Sequence, residues 1–186
     1  NKSIETINKI KKACINIGFF QVIGHGISKK NIKNICNVGN KFFNSSENNK
    51  IKLAPKKWNY KNKNIYRGYF PNDVNGKEGL DIGDLKITKK YAAIKKKQYI
   101  EYINLNKSFN KKSIKILEKY FNEIFILGET LFKSIIKLYN KDIKNSKIAF
   151  SRLKTLSTLR FNYYPNQPIV VIVHGIFPRS QSDHCK

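Results

Sequence analysis

Apolar residues recur at helical spacing from the start of the chain. Ile4, Ile7, Ile10, Cys14 and Ile17 predict a first amphipathic helix over about residues 3–16. Gly18 ends it, and Phe19–Ile23 reads as a short buried strand. After the turn Gly24-His25-Gly26, Ser28 is an N-cap for a helix reaching about Phe43, with Ile32, Ile35 and Phe42 on its buried side. A short helical piece around Glu47–Leu53 stops before Pro55. Residues 66–71 and 79–83 form two short extended or loop segments joined by an Asn-Asp-Val-Asn-Gly turn. The region 84–107 carries little pattern and reads as a surface connection. From about Ser108 to Tyr139 comes a long helix. Ile114, Leu117, Phe121, Ile124, Gly128, Leu131, Ile135 and Leu138 alternate spacings of three and four, as in a coiled coil. Phe125, Phe132 and Ile136 widen that stripe, which favours a helix packed across a sheet. A strand at 157–164 and a second apolar run, Ile169–Val173, complete the pattern.

The strand at 157–164 is the most informative element. Side chains alternate with period two, so Thr158, Arg160, Asn162 and Tyr164 share one face while Leu159, Phe161 and Tyr163 share the other. Arg160, Asn162 and Tyr164 together offer one cation and two hydrogen-bonding groups on a rigid element, the set that a small anionic ligand needs. A half-exposed edge strand would show the same alternation.

Composition narrows the class. The chain has 186 residues, 40% of them hydrophobic and 12% aromatic, enough for a domain with a real core and unlike a disordered polymer. It contains no methionine, even at position 1, as expected of a processed chain or a fragment. No apolar run approaches the roughly 20 residues that span a bilayer, and the opening Asn-Lys-Ser-Ile-Glu has no signal-peptide core. A cytoplasmic monomer with no membrane partner is the expectation. Cys14, Cys36 and Cys185 show no CxxC spacing and signal neither a disulfide framework nor a zinc site.

The net charge of +25 invites a polyanion reading. Arg67, Arg152, Arg160 and Arg179 are the only arginines, however, and arginine supplies the bidentate phosphate and guanine contacts. The lysines are spread along the chain and accompany abundant asparagine and isoleucine, as an AT-rich coding sequence would dictate. No specific nucleic-acid partner is expected. A basic helical module binding nucleic acid or anionic surfaces is the rival from another class.

Four segments carry a resemblance. They are Ala13-Cys14 with Gly18 to Ile27, Phe42-Phe43 with Lys50–Ala54, Tyr66–Pro71 with Glu78–Gly83, and Ser157–Pro165. In this order they resemble the isopenicillin N synthase-like family of non-haem iron, 2-oxoglutarate-dependent dioxygenases, whose patterns read GFF-x-V-x-x-HGI, FF…K-x-K-x-A, RGY…E-x-x-x-(I/G) and STLR-x-N-Y-Y-P. The resemblance implies an α+β fold: a helical N-terminal region whose long helix packs on the start of an incomplete jelly-roll (double-stranded β-helix) sheet. Residues 1–150 would be the N-terminal region and 151–186 the beginning of the jelly-roll core.

The resemblance also implies chemistry. Ferrous iron sits on two histidines and one carboxylate, leaving positions for 2-oxoglutarate and dioxygen, and a small organic substrate is oxidised. Asn162 and Tyr164 match the family's Asn-x-Tyr element, whose tyrosine contacts 2-oxoglutarate in many members. His184 matches the first histidine of His-x-Asp, but Lys186 stands where the aspartate belongs, and a protonated ammonium offers no lone pair to a metal. His174 reads as a loop residue, and His25 as a structural residue of its turn. The expectation is therefore the N-terminal part of a dioxygenase-like oxidoreductase that is catalytically incompetent by itself, or a degenerate non-catalytic relative.

Overall fold

The computed structural model describes residues 2–72, 76–87, 103–138, 157–165 and 170–174. Three helices come first: α1 (Lys2–Asn16), α2 (Lys29–Phe43) and α3 (Glu47–Ile51). Strands β1 (Gly68–Phe70) and β2 (Glu78–Gly83) follow, then a 3-10 turn (Leu105–Lys107), α4 (Lys111–Leu138), β3 (Thr158–Tyr163) and β4 (Val170–His174). The caps follow local chemistry. Ser28 Oγ accepts from Asn31 N at 3.1 Å and starts α2, as its position predicts. Asn110 Oδ1 accepts from Ser113 N at 2.8 Å and starts α4 slightly later than the apolar pattern alone places it.

Among the described residues the strands form one antiparallel sheet in the order β1-β2-β3-β4. Helices α2 and α4 cover one face. Ile35, Val38, Phe42 and Phe43 of α2 and Leu117, Tyr120, Phe121 and Phe125 of α4 are buried with the sheet residues Tyr69, Leu80, Ile82, Leu159 and Phe161. Each fully buried side chain of this size contributes about 1.5–3 kcal/mol of transfer free energy. The close approach of helix to sheet occurs at Gly39, where a Cβ would lie 2.8 Å from the Phe161 ring. Asn31 Nδ2 donates to Glu123 Oε1 at 2.8 Å and ties α2 to α4 at its polar margin.

Expectations for two segments fail, for different reasons. Phe19–Ile23 is not a buried strand: it pairs with no described strand, and Phe19 and Ile23 are 71% and 92% exposed. A run of β-formers becomes a strand only where a sheet edge reaches it, and the described sheet does not. The region 84–107 is not wholly a surface connection, because Leu85, Ile87, Ile103 and Leu105 at its two ends are buried. Single apolar residues in a polar stretch have no periodicity to reveal them.

Burial sets the alkaline limit of the fold. The Tyr69 hydroxyl donates to Glu78 Oε2 at 2.7 Å, and burial, followed by that bond to a carboxylate, pushes its pKa far above the ordinary 10.0. Burial also raises the pKa of Tyr120 and of the Cys36 thiol. The folded chain then keeps protons that the unfolded chain releases, so stability is intact below the ordinary values and falls as pH rises through them. The expected result is a loss of up to about 1.4 kcal/mol per pH unit from Tyr69 alone above about pH 10. Urea unfolding at a series of alkaline pH values measures it. Tyr69→Phe should flatten the slope, and a stability that stays level across the range would refute the assignment.

Candidate functional site

Strand β3 segregates as its alternation predicts. Leu159 and Phe161 enter the core, and the Tyr163 ring stacks on Phe43 with centroids 5.0 Å apart. Thr158, Arg160 and Asn162 lie on the opposite face. Antiparallel partners share a face, and the register sets Gly83 beside Thr158, Asp81 beside Arg160 and Gly79 beside Asn162. The two glycines leave room on that face. At Gly83 the room is taken, because a Cβ would lie 1.9 Å from Nη1 of the buried Arg67, whose Nη2 donates to Ser157 O at 3.1 Å. At Gly79 no side chain of β2 stands beside the buried Asn162, and a Cβ there would lie 3.7 Å from Cβ of Phe70 on β1.

Arg160 is not the free cation that the strand alone offers. Its Nε and Nη2 donate to Asp81 Oδ1 and Oδ2 at 2.6 and 2.5 Å, a bidentate pair across neighbouring strands. Those bonds raise the guanidinium pKa against the opposing effect of burial, so the group stays charged but is already matched by a carboxylate. Of the three candidates that the sequence offers on this face, Asn162 and Tyr164 lie outside that ion pair. Tyr164 follows the last residue of β3 and is half-buried. Asp81, Gly79 and Gly83 are the residues that sequence reasoning left unassigned. Their alternation with Leu80 and Ile82 was the available signal.

A second polar cluster braces the sheet edge. Lys50 Nζ lies 2.7 Å from Glu78 Oε2, with side chains only 10% and 12% exposed, and also sits 5.3 Å from the Tyr69 ring centroid. Nearby, the Asn64 amide donates to Arg67 O at 2.5 Å and the Asn62 amide to Ala54 O at 2.7 Å. These contacts hold the loop between α3 and β1, and through it the hairpin that carries Asp81.

The histidines separate clearly. His25 Nδ1 accepts from Ile27 N at 3.1 Å, tying the ring into its own turn. His174 is not a loop residue: it ends β4, paired in register with Thr158. His184 lies outside the described residues. Among the described residues no group of three or more His, Cys, Asp or Glu side chains could hold a metal ion. No described helix is long and apolar enough to cross a membrane.

The helices and sheet edge that brace β3 define a class. A family model described as "non-haem dioxygenase in morphine synthesis N-terminal" matches residues 2–123. The chain belongs to the 2-oxoglutarate/Fe(II) dioxygenase family that this region characterises. Jasmonate-induced oxygenase 3 of Arabidopsis thaliana is 28% identical over 95% of this chain and 46% of its own length. Homoarginine-6-hydroxylase 2-ODD-C23.2 of the same plant is 37% identical over 41% of this chain and 20% of its own. The chain thus spans about half the length of the first of these relatives, and a smaller part of the second. Among solved structures, JOX2 in complex with 2OG, Fe and JA shares the fold at a TM-score of 0.64 and 20% identity, over 88% of this chain and 46% of that one. The 2-oxoglutarate complex of AtDAO1, the Arabidopsis thaliana dioxygenase for auxin oxidation 1, does so at 0.64 and 18%, over 86% and 53%. The mixed helical and antiparallel-sheet architecture is that of the 2-oxoglutarate oxygenases.

Proposed function

We propose that this chain supplies the N-terminal region and first barrel strands of a 2-oxoglutarate- and Fe(II)-dependent oxygenase that oxidises a small organic molecule. The observation that carries this reading is the family match over residues 2–123. Residues 1–150 act as the helical N-terminal region and 151–186 as the start of the jelly-roll core, in a cytoplasmic monomer. Asn162 and Tyr164 form part of the shelf for 2-oxoglutarate. Support comes from the division of β3 into a core face and a polar face, where Asn162 stands opposite Gly79 and no β2 side chain covers it. His184 is the one residue assigned to the metal, and one histidine beside Lys186 cannot hold ferrous iron. The chain alone is therefore inactive.

With ferrous iron, 2-oxoglutarate and ascorbate, succinate release by this chain should stay at background, and measurable turnover would refute its inactivity. In a protein that joins it to the C-terminal half of such an oxygenase, Asn162→Ala should raise the KM for 2-oxoglutarate about tenfold to a hundredfold. That is the loss of one hydrogen bond to a charged group, worth about 1.5–3 kcal/mol. An unchanged KM would remove Asn162 from the shelf.

A further inference from the structure

We propose that the loop joining α3 to β1 docks this protein peripherally on an anionic lipid bilayer. This departs from the expectation of no membrane partner, and it follows from where the fold places particular side chains. No acidic residue occurs between Glu47 and Asp73. Within that stretch Lys56, Lys57, Lys61 and Lys63 are all exposed. Interleaved with them along the chain, Tyr60, Ile65 and Tyr66 are 79%, 47% and 57% exposed, so the loop offers apolar surface together with its charge.

The loop holds these groups out rigidly. The Asn62 amide donates to Lys52 O at 3.0 Å and to Ala54 O at 2.7 Å, and Lys56 N donates to Asn64 O at 2.8 Å. Trp58 packs edge-on against Phe70 and anchors the base of the loop. Such bracing lowers the ordering cost of docking. Lys57 Nζ lies 4.6 Å from the Trp58 ring centroid and Lys61 Nζ 5.8 Å from that of Tyr60. An aromatic body with an ammonium beside it suits the headgroup layer, where rings lie at the interface and lysines reach phosphates.

The same features favour lipid over nucleic acid. The exposed cations here are all lysines, point charges that suit a diffuse anionic surface, whereas arginine forks suit defined phosphates. The Tyr60 and Tyr66 rings could serve either surface, but the exposed Ile65 adds to insertion among acyl chains and gives nothing to a base.

Trp58 is the only tryptophan, so its emission reports on this loop directly. Vesicles of phosphatidylcholine with phosphatidylserine should shift Trp58 emission to the blue and, with brominated chains, quench it, while phosphatidylcholine alone should not. The quadruple variant K56Q/K57Q/K61Q/K63Q should bind more than tenfold more weakly, since each lysine near such a leaflet strengthens binding about fivefold. K11Q/K12Q/K29Q/K30Q removes the same charge from exposed helix positions and should change binding by less than about threefold. Tyr60→Ser with Ile65→Ser should weaken binding at constant charge, with circular dichroism confirming that each variant is folded. Equal weakening by both quadruple variants, an unmoved Trp58 spectrum, or tighter binding to oligothymidylate than to vesicles would each overturn the proposal.

Discussion

Replacing Lys50 with methionine should lower the unfolding free energy by about 3–5 kcal/mol, the cost of leaving one buried charge without its partner. Lys50 and Glu78 are both almost wholly removed from water, and their atoms meet at 2.7 Å. Methionine fills a similar volume, so the loss is electrostatic rather than a cavity. The Tyr69 hydroxyl still donates to Glu78 but cannot neutralise it. The double variant Lys50→Met/Glu78→Gln removes both charges and should recover most of the loss, because a buried ion pair differs little from neutral groups of the same shape. Urea denaturation of the three proteins decides it. A single-variant cost under about 1 kcal/mol would show that water reaches the pair and that it is no brace.

Gly68→Ala should cost about 2–6 kcal/mol. Gly68 begins β1 at φ 118°, and a Cβ there would lie 2.1 Å from Leu53 O, the carbonyl that accepts from Tyr69 N at 3.2 Å. The backbone conformation accounts for about 1–3 kcal/mol. Displacing a buried carbonyl adds about 1–3 kcal/mol of overpacking. Gly76 provides the control. Its φ is also positive, at 64°, but nothing lies within 4 Å of an added Cβ, so Gly76→Ala should cost only about 1–2 kcal/mol. Thermal or urea unfolding separates the two, and equal costs would show that the contact with Leu53 is unimportant.

Both variants act on one junction, where α3, β1 and β2 meet behind the strand that carries Asn162. Weakening it should loosen the hairpin that supplies Asp81 and so release Arg160. A junction defect would therefore reach the polar face of β3 without touching Asn162 or Tyr164.

Much of this was legible in the sequence, and for definite reasons. Helices α1, α2 and α4 follow from apolar spacing, and Ser28 marks the start of α2, because both signals lie within a few residues. The two faces of β3 follow from alternation, which needs no knowledge of the partner strand. The family was legible as well, since its patterns are short, local and in order along the chain.

The tertiary structure decided what those faces meet. Arg160 alone is a cation offered to a ligand, yet the fold closes it on Asp81, 79 residues earlier in the chain. Lys50 belongs to a basic stretch by sequence and to a buried carboxylate by structure. Phe19–Ile23 has the composition of a strand but no described edge to pair with, whereas Tyr60, Ile65 and Tyr66 are held outward by buried asparagines. In each case periodicity reports which way a side chain points relative to its own backbone. Which group waits there depends on the path of a distant segment, and only the folded chain specifies that path.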